Sequence, residues 1–142
     1  DAVAPLGAQN NAFTTEDFAT VAIIASFPAP WDEVSERAGS PALSIIGSTD
    51  GSADFENVED GFLELAEPRL FAVVEGLNHY DWADDVSEAE LARDGPRERP
   101  VARARQDAMR VMDTWLDAWM TDDGEARTSW AREDFPGVRE AR

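Results

Sequence analysis

Residues 69–82 read RLFAVVEGLNHYDW. Leu70 to Val74 is a continuous apolar run of strand length. Continuous rather than alternating apolarity marks a strand buried on both faces, as in a parallel sheet. The run stops at Glu75-Gly76, and the only histidine of the chain, His79, follows three residues after that glycine. The single imidazole is thus placed just past the carboxyl end of a strand, where chemistry gathers in open α/β sheets.

Two earlier runs have the same character. VAIIASF (21–27) and ALSIIG (42–47) are continuous and apolar, the first halted by PAPW and the second by STDGSAD. Between the second and third runs, Val58, Phe62 and Leu65 fall at helical spacing over 55–66, with Pro68 as a stop signal. Residues 101–120, VARARQDAMRVMDTWLDAWM, read as a long amphipathic helix. Its apolar stripe is Ala104, Ala108, Met112, Trp115 and Trp119, with Val111 and Leu116 beside it. The order is strand, short excursion, strand, helix, strand, helix. It predicts an α/β fold with parallel strands at about 21–27, 42–47 and 69–75, joined by right-handed crossovers. At the start, Ala2 to Ala4 reads as a strand stub and FTTEDF (13–18) as a helix start, with Thr14 as cap. Residues 32–37 form a short charged stretch, and 121–142 read as a second short helix or a mobile tail.

The chain has 142 residues, enough for one domain with a modest core. Thirty acids oppose twelve bases, all of them arginine, for a net charge of −18. Such a surface repels nucleic-acid phosphates and anionic lipid. The acids are spread along the whole chain instead of forming one tail, which favours a surface adapted to high salt over an acidic mimic. A soluble protein of a high-salt compartment, cytoplasmic or secreted, is the expectation. No apolar run approaches the roughly 18 residues of a membrane span, and no signal-peptide pattern is visible. With one histidine and no cysteine, disulfides, thiol catalysis and a zinc site are not expected, and no cofactor is called for.

Asp50 lies three residues after Gly47, as His79 lies three after Gly76. Each therefore occupies a loop at the carboxyl end of one of two consecutive strands. A serine hydroxyl is a poor nucleophile near neutrality, and an imidazole can take its proton and return it to a leaving group. A carboxylate on the other ring nitrogen fixes the tautomer and stabilises the imidazolium. His79 and Asp50 are candidates for that base and that acid, with Asp54 as runner-up for the acid. Plainer roles exist for both: Asp50-Gly51 is a strong turn signal, and a strand-end histidine can simply bond backbone. DGSADFENVED (50–60) also offers Asp50, Ser52, Asp54 and Glu56 at alternating positions, but it lacks the sixth-position glycine and the twelfth-position glutamate of a calcium loop.

PALSIIGSTDGS (41–52), followed by LFAVVEGLNHYDWAD (70–84), resembles the C-terminal half of an α/β-hydrolase. The likeness is to compact esterases of the chlorophyllase, dienelactone-hydrolase and polyester-hydrolase kind, and it covers about residues 20–120. It implies a partial hydrolase fold, with Asp50 as triad acid and His79 as triad base. It implies a small-molecule or polymer carboxylic ester as substrate, with Tyr80 and Trp82 candidates to line its site. The family nucleophile sits in G-x-S-x-G on a preceding strand, and none of the eight serines here has that context. The chain begins with Asp1 rather than Met. The expectation is therefore the C-terminal part of one domain, or a processed subunit, inactive alone and completed by an upstream segment or chain that carries the serine. The alternative is a non-catalytic acidic α/β binding domain.

Overall fold

The computed structural model describes residues 3–5, 19–24, 41–63, 65, 67–121 and 123–141. Five strands form one sheet in the order β1 (Val3–Pro5), β2 (Thr20–Ile24), β3 (Ala42–Gly47), β4 (Arg69–Val74) and β5 (Val138–Ala141). β1 to β4 are parallel, and β5 runs antiparallel to β4. The helices are α1 (Phe55–Leu63), α2 (Glu88–Leu91), α3 (Val101–Met120) and α4 (Gly124–Ser129). Single 3-10 turns cover His79–Trp82 and Trp130–Arg132.

The continuous apolar runs are explained by two covered faces. Leu43 and Ile45 of β3, with Leu70, Ala72 and Val74 of β4, pack toward Ala104, Ala108, Val111 and Trp115 of α3. The alternate residues Ala42 and Ile46, with Phe71 and Val73, pack toward Val58 and Phe62 of α1. A side-chain period of two on a sheet with helices on both sides leaves no position for a polar residue. Ser44 is the exception inside β3, and it is fully buried.

β3 and α3 span the residues expected from sequence, and β4 ends one residue short of the expected 75. β1 occupies the expected stub, and β2 covers the described part of 21–27. α1 is described over Phe55–Leu63 of the expected 55–66, and the Arg69 guanidinium donates to the carbonyls of Leu63 and Leu65. The buried stripe of α3 is centred on Val111, Trp115 and Ala118, with Met112 and Trp119 only partly covered. Trp115 Nε1 donates to Thr20 Oγ1 at 2.7 Å, and that hydroxyl donates to the Pro41 carbonyl at 2.8 Å. This pins the helix to the start of β2 and the residue before β3. The helix start at 13–18 and the charged stretch at 32–37 lie outside the described residues.

Of the short helix or tail expected for 121–142, the short helix is α4, and the segment after it packs on the core. Trp130 and Phe135 are buried against α3, and the Trp130 ring meets Trp115 edge-on at 4.9 Å. β5 then covers the outer edge of β4, which would otherwise offer unpaired backbone groups to other chains. The reason is apolar burial by two large aromatics, each separated in sequence from the patterns that announce helices. Among the described residues, no helix is long and apolar enough to cross a membrane.

Candidate active site

β3 and β4 pair in register from Ala42–Arg69 to Gly47–Val74, so they end level. Their loops leave side by side and are laced together. Ser48 N donates to the Val74 carbonyl at 2.9 Å, and Gly76 N donates to Ser48 Oγ at 2.9 Å. Thr49 gives both its N–H and its hydroxyl to the Leu77 carbonyl, at 3.1 and 2.9 Å. The approach is so close that a Cβ at Gly47 would lie 1.9 Å from that same carbonyl oxygen. Only glycine lets the end of β3 pass there.

This lacing brings Asp50 to His79. Asp50 Oδ2 lies 3.1 Å from His79 Nδ1. Asp50 Oδ1 accepts the backbone N–H groups of Ser52 at 3.0 Å and Ala53 at 2.8 Å. The carboxylate is only 1 % exposed, whereas the imidazole is 32 % exposed. Burying a carboxylate is costly unless its oxygens are bonded; here both are. A carboxylate accepts only, so the ring hydrogen belongs on Nδ1 and the lone pair on Nε2. Among the described residues, Nε2 has no hydrogen-bond partner. The arrangement is an oriented base with its accepting nitrogen available.

Asp54 is not the partner of His79. It precedes α1, accepts the Val58 N–H on its backbone carbonyl, and binds Asn57 Nδ2 at 2.8 Å through its side chain. The oxygens of Asp50 and Asp54 are thus taken by internal donors. Among the described residues, no group of three or more His, Cys, Asp or Glu side chains is placed to hold a metal ion.

His79 sits on a turn with its own scaffold. Asn78 accepts from Asp81 N at 3.0 Å, and Asp81 accepts from Asn78 N at 3.1 Å, a reciprocal capping box around the 3-10 turn. Asp81 is 0 % exposed and receives Arg97 Nε at 2.7 Å. Arg105 of α3 donates to the Asp81 and Ala83 carbonyls and pairs with Asp84 at 2.9 Å. Tyr80 places its ring edge-on to the imidazole, centroids 5.2 Å apart. Trp82 instead packs against the core on the α3 side. Of the two aromatics named as lining residues, Tyr80 is therefore the one beside the imidazole.

Sequence reasoning missed Asp94. Its carboxylate accepts Gly51 N at 2.6 Å and Gly95 N at 2.8 Å on one oxygen, and Tyr80 N at 3.1 Å on the other. It also missed the Asn78–Asp81 box, although Asn-x-x-Asp is a readable cap pattern. Just after that turn, α2 opens with a similar box in which Ser87 and Glu90 exchange bonds. The Ser87 hydroxyl, and then its backbone N–H, hold the Glu90 carboxyl below the usual carboxylate range.

Two clefts of about 440 Å³ lie among the described residues. One is lined by Ser48, Glu75, Glu98 and Arg139, the other by Val86, Leu91, Arg97 and Arg105 among others. Asp50 and His79 line neither. Carboxylates line both clefts, Glu75 and Glu98 in one and Asp84 in the other, and no imidazole does. Among the described residues, no serine bonds His79: Ser48 accepts from Gly76, Ser87 caps α2, and Ser129 bonds the Ala126 carbonyl. Ser26, Ser35 and Ser40 lie outside the described residues. No family model matches the chain, and no curated protein matches it in sequence.

Proposed function

We propose that this chain is the acid-and-base half of a serine hydrolase of the α/β-hydrolase kind, acting on carboxylic esters. The observation that carries the reading is the 3.1 Å contact between His79 Nδ1 and a buried Asp50 carboxylate that backbone amides already orient. In the reaction, Nε2 takes the serine proton as the hydroxyl attacks the ester carbonyl. Asp50 stabilises the imidazolium, and Nε2 returns the proton to the departing alcohol. Water, activated by the same nitrogen, then releases the acyl group. The serine and the oxyanion donors come from an upstream segment or a second chain. Tyr80 borders the space in front of the base. The surface charge of −18 suits a high-salt setting.

A second reading, an acidic α/β binding domain without catalysis, is favoured by one feature. β1 stands next to β2, where the resemblance puts the nucleophile strand, and the residues that follow it, LGAQNN, contain no serine. Release of p-nitrophenol from short-chain esters separates the two. The reading requires turnover when the serine-bearing segment is present and loss of it in His79→Ala. The binding domain requires none in either case.

A further inference from the structure

We infer that Asp94 is a positioning residue for the acid–base pair, a carboxylate staple that holds the Asp50 loop and the His79 turn in fixed register. This rests on the proposed hydrolase reading, and it adds a residue to which the triad chemistry gives no role.

The geometry is specific. Gly51 N directly follows the acid, and Tyr80 N directly follows the base; Asp94 accepts the first on Oδ1 at 2.6 Å and the second on Oδ2 at 3.1 Å. One rigid carboxylate therefore spans the peptide groups next to both reacting side chains. Such charge-assisted bonds are the stronger class of hydrogen bond. Two further contacts keep Asp94 itself in place. Its Oδ1 also accepts Gly95 N at 2.8 Å, and the Gly95 carbonyl accepts Asn78 Nδ2 at 3.2 Å. Gly95 packs so tightly that a Cβ there would lie 1.9 Å from the Thr49 carbonyl oxygen. Residues 94–95 are thus wedged between the loops that carry Asp50 and His79.

The physical consequence concerns alignment. The Asp50–His79 bond joins side chains on separate loops, and each has rotamer freedom to lose. Fixing the backbone beside each side chain removes that freedom before the proton moves. Misplacement of a catalytic group by about 1 Å can cost on the order of 100-fold in rate. Replacing one oxygen of Asp94 by an amide nitrogen sets a donor against one of the two peptide N–H groups, so Asp94→Asn opens the staple with almost no change in volume.

The single histidine makes the test clean. Nitrogen-15 NMR of the chain reports the tautomer of His79 without overlap from any other imidazole. Hydrogen-bond couplings across the Gly51 and Tyr80 amides report the staple directly in the unaltered protein. Expected are couplings from both amides to the Asp94 carboxyl carbon, a neutral ring protonated mainly on Nδ1, and loss of that preference in Asp94→Asn while circular dichroism stays native. Asp50→Ala serves as the control for the pair. If it leaves the tautomer unchanged, the hydrolase reading falls, while the couplings still decide whether the staple exists. Absence of either coupling overturns the staple. So does an Asp94→Asn protein that melts earlier yet keeps the wild-type tautomer, because Asp94 would then be merely structural.

Discussion

Asp50 and His79 are 29 residues apart in the chain, yet Asp50 Oδ2 and His79 Nδ1 lie 3.1 Å apart. The separation is one strand–helix–strand unit, and the meeting follows from its register. β3 and β4 pair residue for residue to their last positions, Gly47 and Val74, so the loops that carry Asp50 and His79 leave the sheet side by side. The Asp50 side chain is nearly fully buried and bonded on both oxygens, so its position is fixed by the loop and the imidazole together.

The crossing of Gly47 and Leu77 underlies this meeting. A methyl group at residue 47 would stand 1.9 Å from the Leu77 carbonyl oxygen, and backbone cannot yield cheaply. Gly47→Ala is expected to destabilise the fold by about 1–3 kcal/mol or more, the range of overpacked sites. Urea unfolding monitored by tryptophan fluorescence measures it. A loss below about 0.5 kcal/mol, the size of an ordinary surface change, would contradict the described crossing.

Phe135 tests the packing of the C-terminal segment. It is 2 % exposed and joins the α3-side core, shortly before β5 closes the sheet. Phe135→Ala is expected to cost about 3–5 kcal/mol and to raise the tendency to associate, since release of β5 bares the β4 edge. Chemical denaturation and light scattering check the two effects. Near-wild-type stability would mean that the segment behaves as a tail.

The surface charge of −18 sets a salt dependence. Screening length falls from about 10 Å at 0.1 M salt to about 3 Å at 1 M, which relieves the mutual repulsion of spread acids. The melting temperature is expected to rise by several degrees over that range in sodium or potassium chloride. Chloride salts are preferred to sulfate, which strengthens apolar burial in any protein. A flat or falling curve would remove the case for a surface adapted to high salt.

What was legible in the sequence was what repeats locally. The runs at 42–47 and 69–74 announce buried parallel strands because both of their faces are covered, and the stripe in 101–120 announces its helix. β5 was not legible. VREA is short, carries two charges and lies antiparallel at an edge, so no apolar pattern marks it. Asp50 and His79 could be read because each lies three residues after a glycine at or just past a strand end. Asp94 could not, because nothing in RDGPRERP distinguishes it until the fold brings Gly51 and Tyr80 to its two oxygens. The choice of Asp50 over Asp54 likewise required geometry, since both follow β3 and only the start of α1 assigns Asp54 to its helix.

The central claim is that His79, oriented by Asp50, is the base of an ester hydrolase whose serine lies on another segment. The most direct measurement is p-nitrophenyl ester release by three proteins: the 142-residue chain alone, the chain joined to its serine-bearing segment, and the joined protein with His79→Ala. The account predicts no turnover above background for the first, turnover for the second, and a loss of at least about 10⁴-fold in kcat for the third. Robust turnover by the isolated chain, or a joined protein indifferent to His79→Ala, would contradict it.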